Sequence, residues 1–497
     1  DQVHYHEPAI LRFAEQFPRP DVSDYLSGTT PGYHLVLAVA ARAVSDAPAF
    51  LRAAASLFTV AFLGLLTRWL TPRVGPHAAA ALGLATGASL YVFSAGVFLL
   101  PDNAAWLGVL AVLILALRPC FDAKTVLAGG AVMLALVLVR QSHLWAAGVL
   151  WAAAWLGTNP PPARGPADEI RTLFTQPGRR VGRTLLMGLA TLPAFAAVAW
   201  FVRLWGGLTV PIFHDHMQGT NPATPAFLLA QLGIIGLFHA GYWIGPGLDL
   251  ARRRPGVVAL VVLASLALAA APDTTYSVEA GRYSGLWNAV RALPTLGGRT
   301  SVLLLALTPL GALVLAGWLT ALDARSRWVM IAALAGFTAA MSMTLNAWQR
   351  YHEPMLLIAA ALLSALNARR DPIRGATPGR AVSFARIAGP VLLFLALAAV
   401  NVAEHRRAEP AGAPLERKPG IARPLSELWP SSWDRLDRIA CPVLIAAGRY
   451  DAIATLQTQQ AMAARIPGAE LQVFEGGHLF AAQDPQALPA ITAFLKS

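Results

Sequence analysis

The feature that most constrains the fold is a series of apolar segments that fills most of the chain between residues 50 and 402. A helix needs about 20 apolar residues to cross a bilayer, and several segments approach or reach that length. The segments are 50–70, 77–99, 103–118, 123–139, 143–157, 184–205, 226–248, 256–271, 300–320, 328–345, 354–367 and 386–402. We interpret the apolar stretch 32–46 as an interfacial helix or a marginal span. The pattern predicts an all-α polytopic membrane protein with about 12–13 transmembrane helices.

Charged residues are scarce. Only 13% of the 497 residues are charged and 56% are hydrophobic, whereas soluble domains carry about 25% charged residues. The net charge is +12, but the arginines lie in short clusters between apolar segments, where topology-setting charges belong. We therefore expect no nucleic-acid partner. The two cysteines, Cys120 and Cys441, are too far apart in sequence to indicate a disulfide framework or a zinc site.

The basic clusters fall in alternate loops, which the positive-inside rule assigns to the cytoplasm. They contain Arg68, Arg73, Arg118, Lys124, Arg164, Arg171, Arg179, Arg180, Arg183, Arg252, Arg253, Arg254, Arg325, Arg327, Arg369, Arg370, Arg374 and Arg380. The opposite loops hold most of the acids, histidines and isolated arginines; they are 1–48, 100–102, 140–142, 206–225, 272–299, 346–353 and everything after 403. An active site at the outer membrane face requires this division, whereas a bare channel or scaffold does not.

Residues 1–33 form a polar loop ahead of the apolar segments, and we expect a further apolar segment before it. Glycosyl transfer from a lipid-phosphate sugar needs a carboxylate to deprotonate the acceptor hydroxyl. It also needs cations for the departing phosphate, a task that suits the bidentate guanidinium of arginine. The candidate bases are Asp1 and Asp102, and the candidate phosphate partners are Arg140, Arg282 and Arg350.

Eight motifs resemble, in order and spacing, those of the dolichyl-phosphate-glucose α-1,2-glucosyltransferase family, within the GT-C class of multispanning transferases. The first four are DQVHYHEPAILRF, SGTTPGYHL, FLRAAASLF and SLYVFSAGVFLLPDNAA, the last with Asp102 at the family's acidic position. The others are VRQSHLW with Arg140, Gln141 and Trp145, WGGLTVPIFHDH, EAGRYSGLW with Arg282 and Tyr283, and QRYHEPM with Arg350 and Tyr351. The family's Asp-Glu pair is Asp1 and Gln2 here, and the Asn of its Arg-Gln-Thr-Asn motif is His143.

The resemblance covers residues 1 to about 400 and implies a GT-C-like, inverting transferase that needs no cofactor. It implies that a hexose, glucose in that family, moves from a polyprenyl-phosphate sugar to a lipid-linked or cell-envelope glycan acceptor. The implied catalytic residues are Asp1 and Asp102, and the implied donor-binding residues are His6, Arg140, Gln141, Arg282, Tyr283 and Arg350. The composition is typical of a high-GC bacterium, so we expect an inner-membrane protein, in contact with membrane lipid, whose active site faces the periplasm.

Other interpretations of these residues stay open. Asp1 is also interpretable as a plain terminal residue, Asp102 as a helix cap, and Arg140 as an arginine at the membrane boundary. His352 and Glu353 have the character of an interfacial pair. The pairs His4 with His6 and His214 with His216 lack a third ligand at helical spacing, so we predict no metal site. A transporter or flippase of polyprenyl-linked sugars is the alternative function.

The composition changes after residue 402. We interpret 403–440 as a linker, 441–497 as a partial α/β-hydrolase-like segment and 1–402 as the transferase domain. In the last segment, Asp451 and His478 resemble the acid and base that end a hydrolase domain. The chain has no Gly-x-Ser-x-Gly nucleophile motif, and acid and base alone give no acyl transfer. An inactive remnant, a docking module and a fusion artefact are the favoured interpretations, and a split hydrolase or an ester-cleaving enzyme is the alternative.

Overall fold

A computed structural model describes residues 2–157, 166–216, 219–368, 380–407, 436–437, 439–451, 454–477 and 480–496. The chain forms two compact units, Asp1–Ala408 and Glu409–Ser497. The functional division into transferase domain, linker and hydrolase-like segment stays a prediction. Most of the predicted linker lies outside the described residues.

The described part of the first unit is mostly α-helical, and every predicted apolar segment forms helix. The helices are α1 (Glu7–Gln16), α2 (Gly32–Ala43), α3 (Pro48–Val74), α4 (Pro76–Gly87), α5 (Leu90–Val97), α6 (Asp102–Ala116), α7 (Ala123–Val139), α8 (Ala146–Leu156), α9 (Pro166–Leu173), α10 (Pro177–Trp205), α11 (Thr224–Leu237), α12 (Ala240–Arg253), α13 (Pro255–Ala270), α14 (Leu286–Arg291), α15 (Val302–Thr320), α16 (Ala324–Ser342), α17 (Gln349–Ala368) and α18 (Arg380–Arg407). Short helical turns occupy Gln2–His6, Gln141–Trp145 and Pro211–His216, and strands β1 (Thr295–Leu296) and β2 (Thr300–Ser301) form a small antiparallel hairpin.

Within the described residues, four helices are long and apolar enough to cross a membrane: Pro48–Val74, Pro177–Trp205, Val302–Thr320 and Ala381–Glu404. Two bent helix pairs raise the number to six if each pair is one span. The helices Asp102–Ala116, Ala123–Val139 and Pro255–Ala270 are apolar but shorter. The chain is therefore an all-α, polytopic membrane protein, as the sequence predicts. The predicted number of about 12–13 transmembrane helices is higher than the four to six that the described residues provide by length and composition.

Two segments predicted as continuous spans are broken. The stretch 77–99 forms α4 and α5, which meet at 76°, and the stretch 226–248 forms α11 and α12, which meet at 110°. The first break has a local cause, because Ser89 is extended and its side chain accepts a hydrogen bond from the backbone N–H of Tyr91. Serine is a favoured N-cap, so it starts a new helix here instead of continuing α4.

Helix α17 lies in the core of the first unit. Its residues from His352 to Ala365 are all buried, and it contacts helices of both halves of the unit, among them α3, α4, α11 and α16. The middle of the helix is rich in alanine and leucine, and small residues allow neighbouring helices to approach closely. Burial of the helix on all sides fixes the position of the polar residues in its first turns.

The second unit is small in its described part. Strand β3 (Leu444–Gly448) pairs in parallel with β4 (Glu470–Phe474), and the amphipathic α19 (Leu456–Arg465) connects them. Helices α20 (Phe480–Gln483) and α21 (Ala487–Lys496) follow. Asp451 is buried and accepts a hydrogen bond from the N–H of Ala454, whereas His478 lies outside the described residues. The described sheet of two strands is smaller than the parallel sheet that a hydrolase needs.

Candidate active site

The loops that the charge pattern assigns to one side come together at one end of the helices. Asp102, the first residue of α6, accepts a hydrogen bond at Oδ1 from Nη1 of Arg140, which follows α7, at 2.5 Å. Both side chains are buried, with 10% and 14% of their surface exposed. The interpretation of Asp102 as a helix cap is wrong, because Pro101 holds the N-cap position and no side-chain cap bond forms.

The start of α17 adds a second arginine and an aromatic ring. The ring of Tyr351 lies 5.4 Å from the guanidinium carbon of Arg140 and 5.7 Å from that of Arg350. The positive charges of Arg140 and Arg350 both act on Asp102. The structure therefore brings together three of the predicted site residues, which are up to 248 positions apart along the chain (350 minus 102).

His6 joins this cluster through its own buried partner. Nδ1 of His6 lies 2.9 Å from Nε2 of His34, and the two rings stack with centroids 5.2 Å apart. The charges of Asp102, Arg350 and Arg140 act on the His6 ring. Burial lowers the pKa of His6 from 6.5 to about 4, and the two arginines oppose protonation further while Asp102 favours it. His6 is therefore neutral at pH 7 and can either donate or accept the hydrogen bond with His34, depending on its tautomer.

The predicted base Asp1 lies outside the described residues. Its neighbour Gln2 accepts a hydrogen bond from the N–H of Leu99 at 3.2 Å and donates one to Glu7, also at 3.2 Å. The first turn of the chain is thereby attached to the loop that leads into Asp102.

The side chain of Gln141 connects several loops by hydrogen bonds. Its Nε2 donates to the carbonyls of Gly28 at 2.9 Å and Leu208 at 2.7 Å, and its Oε1 accepts from the N–H of Thr30 at 3.0 Å. These bonds hold the Thr-Thr-Pro-Gly turn and the loop after α10 beside Arg140. The side chain is thus engaged with backbone groups, so its contribution to donor binding would be indirect.

Arg282 is buried, and its guanidinium contacts residues of the loop to which it belongs. It pairs with Asp273 at 2.8 Å and donates to the carbonyl of Thr275 at 2.7 Å. Burial alone would raise the pKa of Asp273, but hydrogen bonds from Thr275 and the charge of Arg282 hold it below its usual value. Among the described residues no hydrogen bond or ion pair joins Arg282 to Asp102 or Arg140, and its assignment to donor binding stays a prediction.

Tyr283 reaches the cluster through an aromatic chain. Its ring lies 5.2 Å from Trp348, and Trp348 stacks on Tyr351 at 5.3 Å. Burial raises the pKa of the Tyr283 hydroxyl to about 12, with the neighbouring Tyr351 adding to the shift. Tyr283 therefore stays protonated and forms an outer wall beside the two arginines.

Glu353 is a buried acid in the first turns of α17. Its Oε1 accepts from Ser89 Oγ at 2.6 Å, and its Oε2 accepts from Gln349 Nε2. Gln349 in turn accepts from the N–H of Leu286 at 2.7 Å. The interpretation of His352 and Glu353 as an interfacial pair is wrong, because they are 0% and 5% exposed. Glu353 links α5, α14 and α17 one turn below Arg350.

An apolar groove of about 640 Å³ lies between α3, α4, α5 and α18. Its lining includes Leu63, Thr67, Gly83, Gly87, Phe93 and Phe394. Gly87 and Ala88 at one end of the groove immediately precede Ser89, whose hydroxyl binds Glu353. The groove therefore ends close to the first turns of α17, where Arg350 lies.

The histidines near residue 214 make no metal centre with described neighbours. His214 Nε2 lies 2.9 Å from the carbonyl of Thr209. Among the described residues, no group of three His, Cys, Asp or Glu could hold a metal ion. His4 and His216 have side chains outside the described set.

Fold and cluster together define a class, the polytopic α-helical membrane proteins with a buried charged site at one end of the helices. Comparison with known proteins does not define the class more closely. No family model and no curated protein matches the chain. The crystal structure of ArnT from Cupriavidus metallidurans in the apo state is similar to it at 15% sequence identity and a TM-score of 0.30, over 98% of this chain and 85% of that one. A TM-score this low does not establish a shared fold.

Proposed function

We propose that the chain is a GT-C-type membrane glycosyltransferase that moves a hexose from a polyprenyl-phosphate sugar to a lipid-linked or cell-envelope glycan acceptor with inversion. The observation that supports it most is the buried Asp102/Arg140 ion pair beside Arg350. A carboxylate next to two guanidiniums provides a base and a phosphate-binding pair in one place. The resemblance of the eight motifs is the second support, because three of them carry these residues.

In the proposed reaction the acceptor hydroxyl oxygen attacks C1 of the sugar, and the bond from C1 to the phosphate oxygen breaks. The polyprenyl phosphate leaves with the electron pair, and the hydroxyl proton passes to the carboxylate. Arg140 holds Oδ1 of Asp102, and no described group donates to Oδ2, which is therefore the oxygen available to the acceptor. Arg140 and Arg350 would stabilise the charge that develops on the phosphate.

The donor's lipid would lie in the apolar groove between α3, α4, α5 and α18. A polyprenyl chain is apolar and long, and the groove combines an apolar lining with an end close to Ser89 and Arg350. Tyr283, Trp348 and Tyr351 would form the wall against which the sugar ring packs. His6 would bind the sugar or acceptor as a neutral donor or acceptor of a hydrogen bond, since burial holds its pKa near 4.

The test is incubation of the purified protein with a set of polyprenyl-phosphate sugars, with release of polyprenyl phosphate and formation of a glycosidic bond as the readouts. Asp102→Asn should reduce release by at least about a hundredfold, in line with loss of a general base. Asp249→Asn is the matched control, because Asp249 is exposed and pairs with the exposed Arg253. Full activity in Asp102→Asn and in Asp1→Asn would reject both proposed bases.

A flippase is the alternative function, favoured by the polar residues buried inside the helices. His352 lies in α17 with neither ring nitrogen hydrogen-bonded to a described residue. A flippase would move a fluorescent polyprenyl-phosphate sugar across a vesicle membrane without forming a glycosidic bond. The same purified protein, measured in the transfer assay and in the translocation assay, distinguishes the two functions. The proposed periplasmic orientation is tested separately, by labelling cysteines introduced into the loop of residues 206–225.

A further inference from the structure

Three arginines converge on the C-terminal end of α8, at the end of the helices away from Asp102. We call Arg180, Arg183 and Arg325 the α8 arginine cluster. Arg180 and Arg183 lie in the first two turns of α10, and Arg325 lies in the first turn of α16. The proposed transferase reaction uses none of them.

Arg180 has a structural explanation. Its guanidinium donates to the carbonyls of Thr175 at 2.6 Å, Trp155 at 2.7 Å and Thr172 at 2.9 Å. Arginine commonly satisfies the last carbonyls of a helix in this way. Arg180 therefore fixes the end of α8 against α9 and α10 and positions its neighbours.

Arg325 and Arg183 have no comparable set of partners. Arg325 is 2% exposed, and its Nε donates to the carbonyl of Gly157 at 2.7 Å. No described residue accepts a hydrogen bond from its two Nη groups. The guanidinium of Arg183 lies directly over Gly157, where a Cβ would overlap it, and its buried Nε has no described acceptor. Two guanidinium groups thus lie next to Gly157, and both have N–H groups without an acceptor among the described residues.

Two acids near the cluster, Glu169 and Asp323, form hydrogen bonds with other groups. Glu169 accepts from Arg327 at 2.5 Å, and Asp323 caps α16 through the N–H of Ser326 at 2.8 Å. The charge of Asp323 stabilises the charged form of Arg325, and the charge of Arg183 opposes it. Like charges in a buried site are costly unless an anion joins them. Phosphate oxygens are the acceptors that paired guanidiniums fit best.

The surface beside the cluster indicates where the phosphate comes from. Val181, Leu185 and Leu189 on α10 are 44%, 62% and 68% exposed, and α10 is long and apolar enough to cross a membrane. An exposed apolar face that begins at the level of Arg183 matches a lipid whose headgroup lies on the arginines. Basic pockets between helices at a membrane surface are known to hold such headgroups.

We propose that Arg183 and Arg325 bind the phosphate of an anionic phospholipid, with its acyl chains along Leu185 and Leu189 of α10. Arg180 acts as a positioning residue for this site. The proposal is independent of the glycosyltransferase proposal, because it involves the opposite end of the helices and no reacting group. It would hold equally for a flippase.

The experiment uses the delipidated full-length protein in detergent, titrated with dioleoyl phosphatidylglycerol, dioleoyl phosphatidylcholine or inorganic phosphate. Native mass spectrometry counts bound lipid, and the thermal unfolding midpoint reports stabilisation. We expect phosphatidylglycerol to bind at least about tenfold more tightly than phosphatidylcholine, and the double variant Arg183→Gln/Arg325→Gln to lose that preference. The control Arg252→Gln/Arg254→Gln removes the same charge from exposed positions and should keep it.

Equal loss of the preference in both double variants would overturn the proposal, because it would indicate a general surface charge effect. Equal stabilisation by inorganic phosphate and phosphatidylglycerol would assign the site to a soluble phosphate and overturn the lipid. No preference in the folded wild-type protein would overturn it outright. Arg183→Gln alone provides the test if the double variant does not fold, since Arg183 is half-buried and makes no hydrogen bond to a described residue.

Discussion

At the scale of single residues, the Asp102/Arg140 ion pair is the feature with the largest expected energetic effect. Removal of one member of a buried pair leaves an uncompensated charge, which costs about 3–5 kcal/mol. We therefore expect Asp102→Asn and Arg140→Gln each to lower the unfolding free energy by that order. Denaturant unfolding in a fixed detergent measures it. The double variant should lose less than the sum of the two, because neither charge is then left alone.

The exposed pair Arg118 with Asp122 is the matched control for that cycle. Its atoms are 3.3 Å apart and its side chains are 36% and 40% exposed. Exposed pairs contribute about 0–1 kcal/mol, so Arg118→Gln should change the unfolding free energy little. A comparable loss in both pairs would mean that burial of Asp102 and Arg140 has no energetic consequence.

His6 should make stability depend on acid pH. Its pKa falls from 6.5 to about 4 in the folded state because it is buried, so the unfolded chain binds more protons between these values. Stability from this group is therefore complete above pH 6.5 and falls as pH drops toward 4, by about 3 kcal/mol in total. Unfolding free energies at pH 4, 5, 6 and 7 measure the slope.

The informative comparison is between the wild type and His6→Gln. Glutamine can retain a hydrogen bond to His34 but does not titrate, so contributions from the histidines that do not contact His6 cancel in the difference. We expect the variant to lose less stability than the wild type between pH 6.5 and 4. Identical slopes would show that His6 is not held neutral by the fold.

The candidate site could be predicted from the sequence in part. Asp102, Arg140 and Arg350 were predicted as one group, because order and spacing of motifs indicate which loops share a side. His34 and Glu353 were not recovered as site residues. Their partners, His6 and Ser89, are 28 and 264 positions away, and no local pattern encodes such contacts. The assignment of Arg282 to the donor phosphate stays a prediction, and its ion pair with Asp273, nine residues earlier, is a contact that the motif does not reveal.

At the scale of elements, glycines determine where helices touch. A Cβ on Gly311 of α15 would overlap the carbonyl of Leu229 on α11, with the N–H of Gly233 3.1 Å away. Overpacking of a core contact costs about 1–3 kcal/mol. We expect Gly311→Ala to lower the unfolding free energy by that amount and to separate α11 from α15. Denaturant unfolding in detergent measures the loss.

Gly148 in α8 provides the opposite case. It is helical and exposed, and a Cβ there would meet no atom within 4 Å. Alanine has a higher helix propensity by about 1 kcal/mol, so Gly148→Ala should be neutral or stabilising. Destabilisation by both substitutions would contradict the assigned contact between α11 and α15.

Hydropathy predicted where helices form better than where they end. Every apolar segment is helical, but hydropathy does not reveal the helix breaks after Gly87 and Leu237. The break before α5 depends on Ser89, whose capping bond and contact with Glu353 compete with helix continuation. A polar residue within an apolar segment is the sequence signal that could have located this break.

At the scale of the whole molecule, the parity of the predicted spans agrees with the end at which the described loops of Asp102, Arg140, Asn221 and Leu345 lie. Contacts between Asp102 and Arg140 and between Asn221 and Leu345 lie at one end, and the α8 arginine cluster lies at the other. Charge counting needs only the number of crossings between loops, so it tolerates errors in helix boundaries. The chemistry of each end depends on which side chains are in contact, and the parity of the spans gives no information about those contacts.

The compact unit Asp1–Ala408 should work without the rest of the chain. All three hydrophobic clusters of buried residues in the described chain, the buried ion pair and the apolar groove draw on residues of this unit. A chain that ends at residue 408 should therefore unfold within about 2 °C of the full-length protein and release polyprenyl phosphate at a similar rate. Thermal unfolding and the release assay measure the two effects.

A shorter chain that ends at residue 379 is the matched control, since it also lacks α18, which lines the groove with Phe394 and packs on α4. It should lose stability and donor turnover together, because the groove then has one wall fewer. Loss of turnover in the chain ending at 408, with its unfolding transition unchanged, would assign a role to residues 409–497. In that case His478→Ala in the full-length chain would separate ester chemistry, which it should abolish, from a docking function, which it should leave intact.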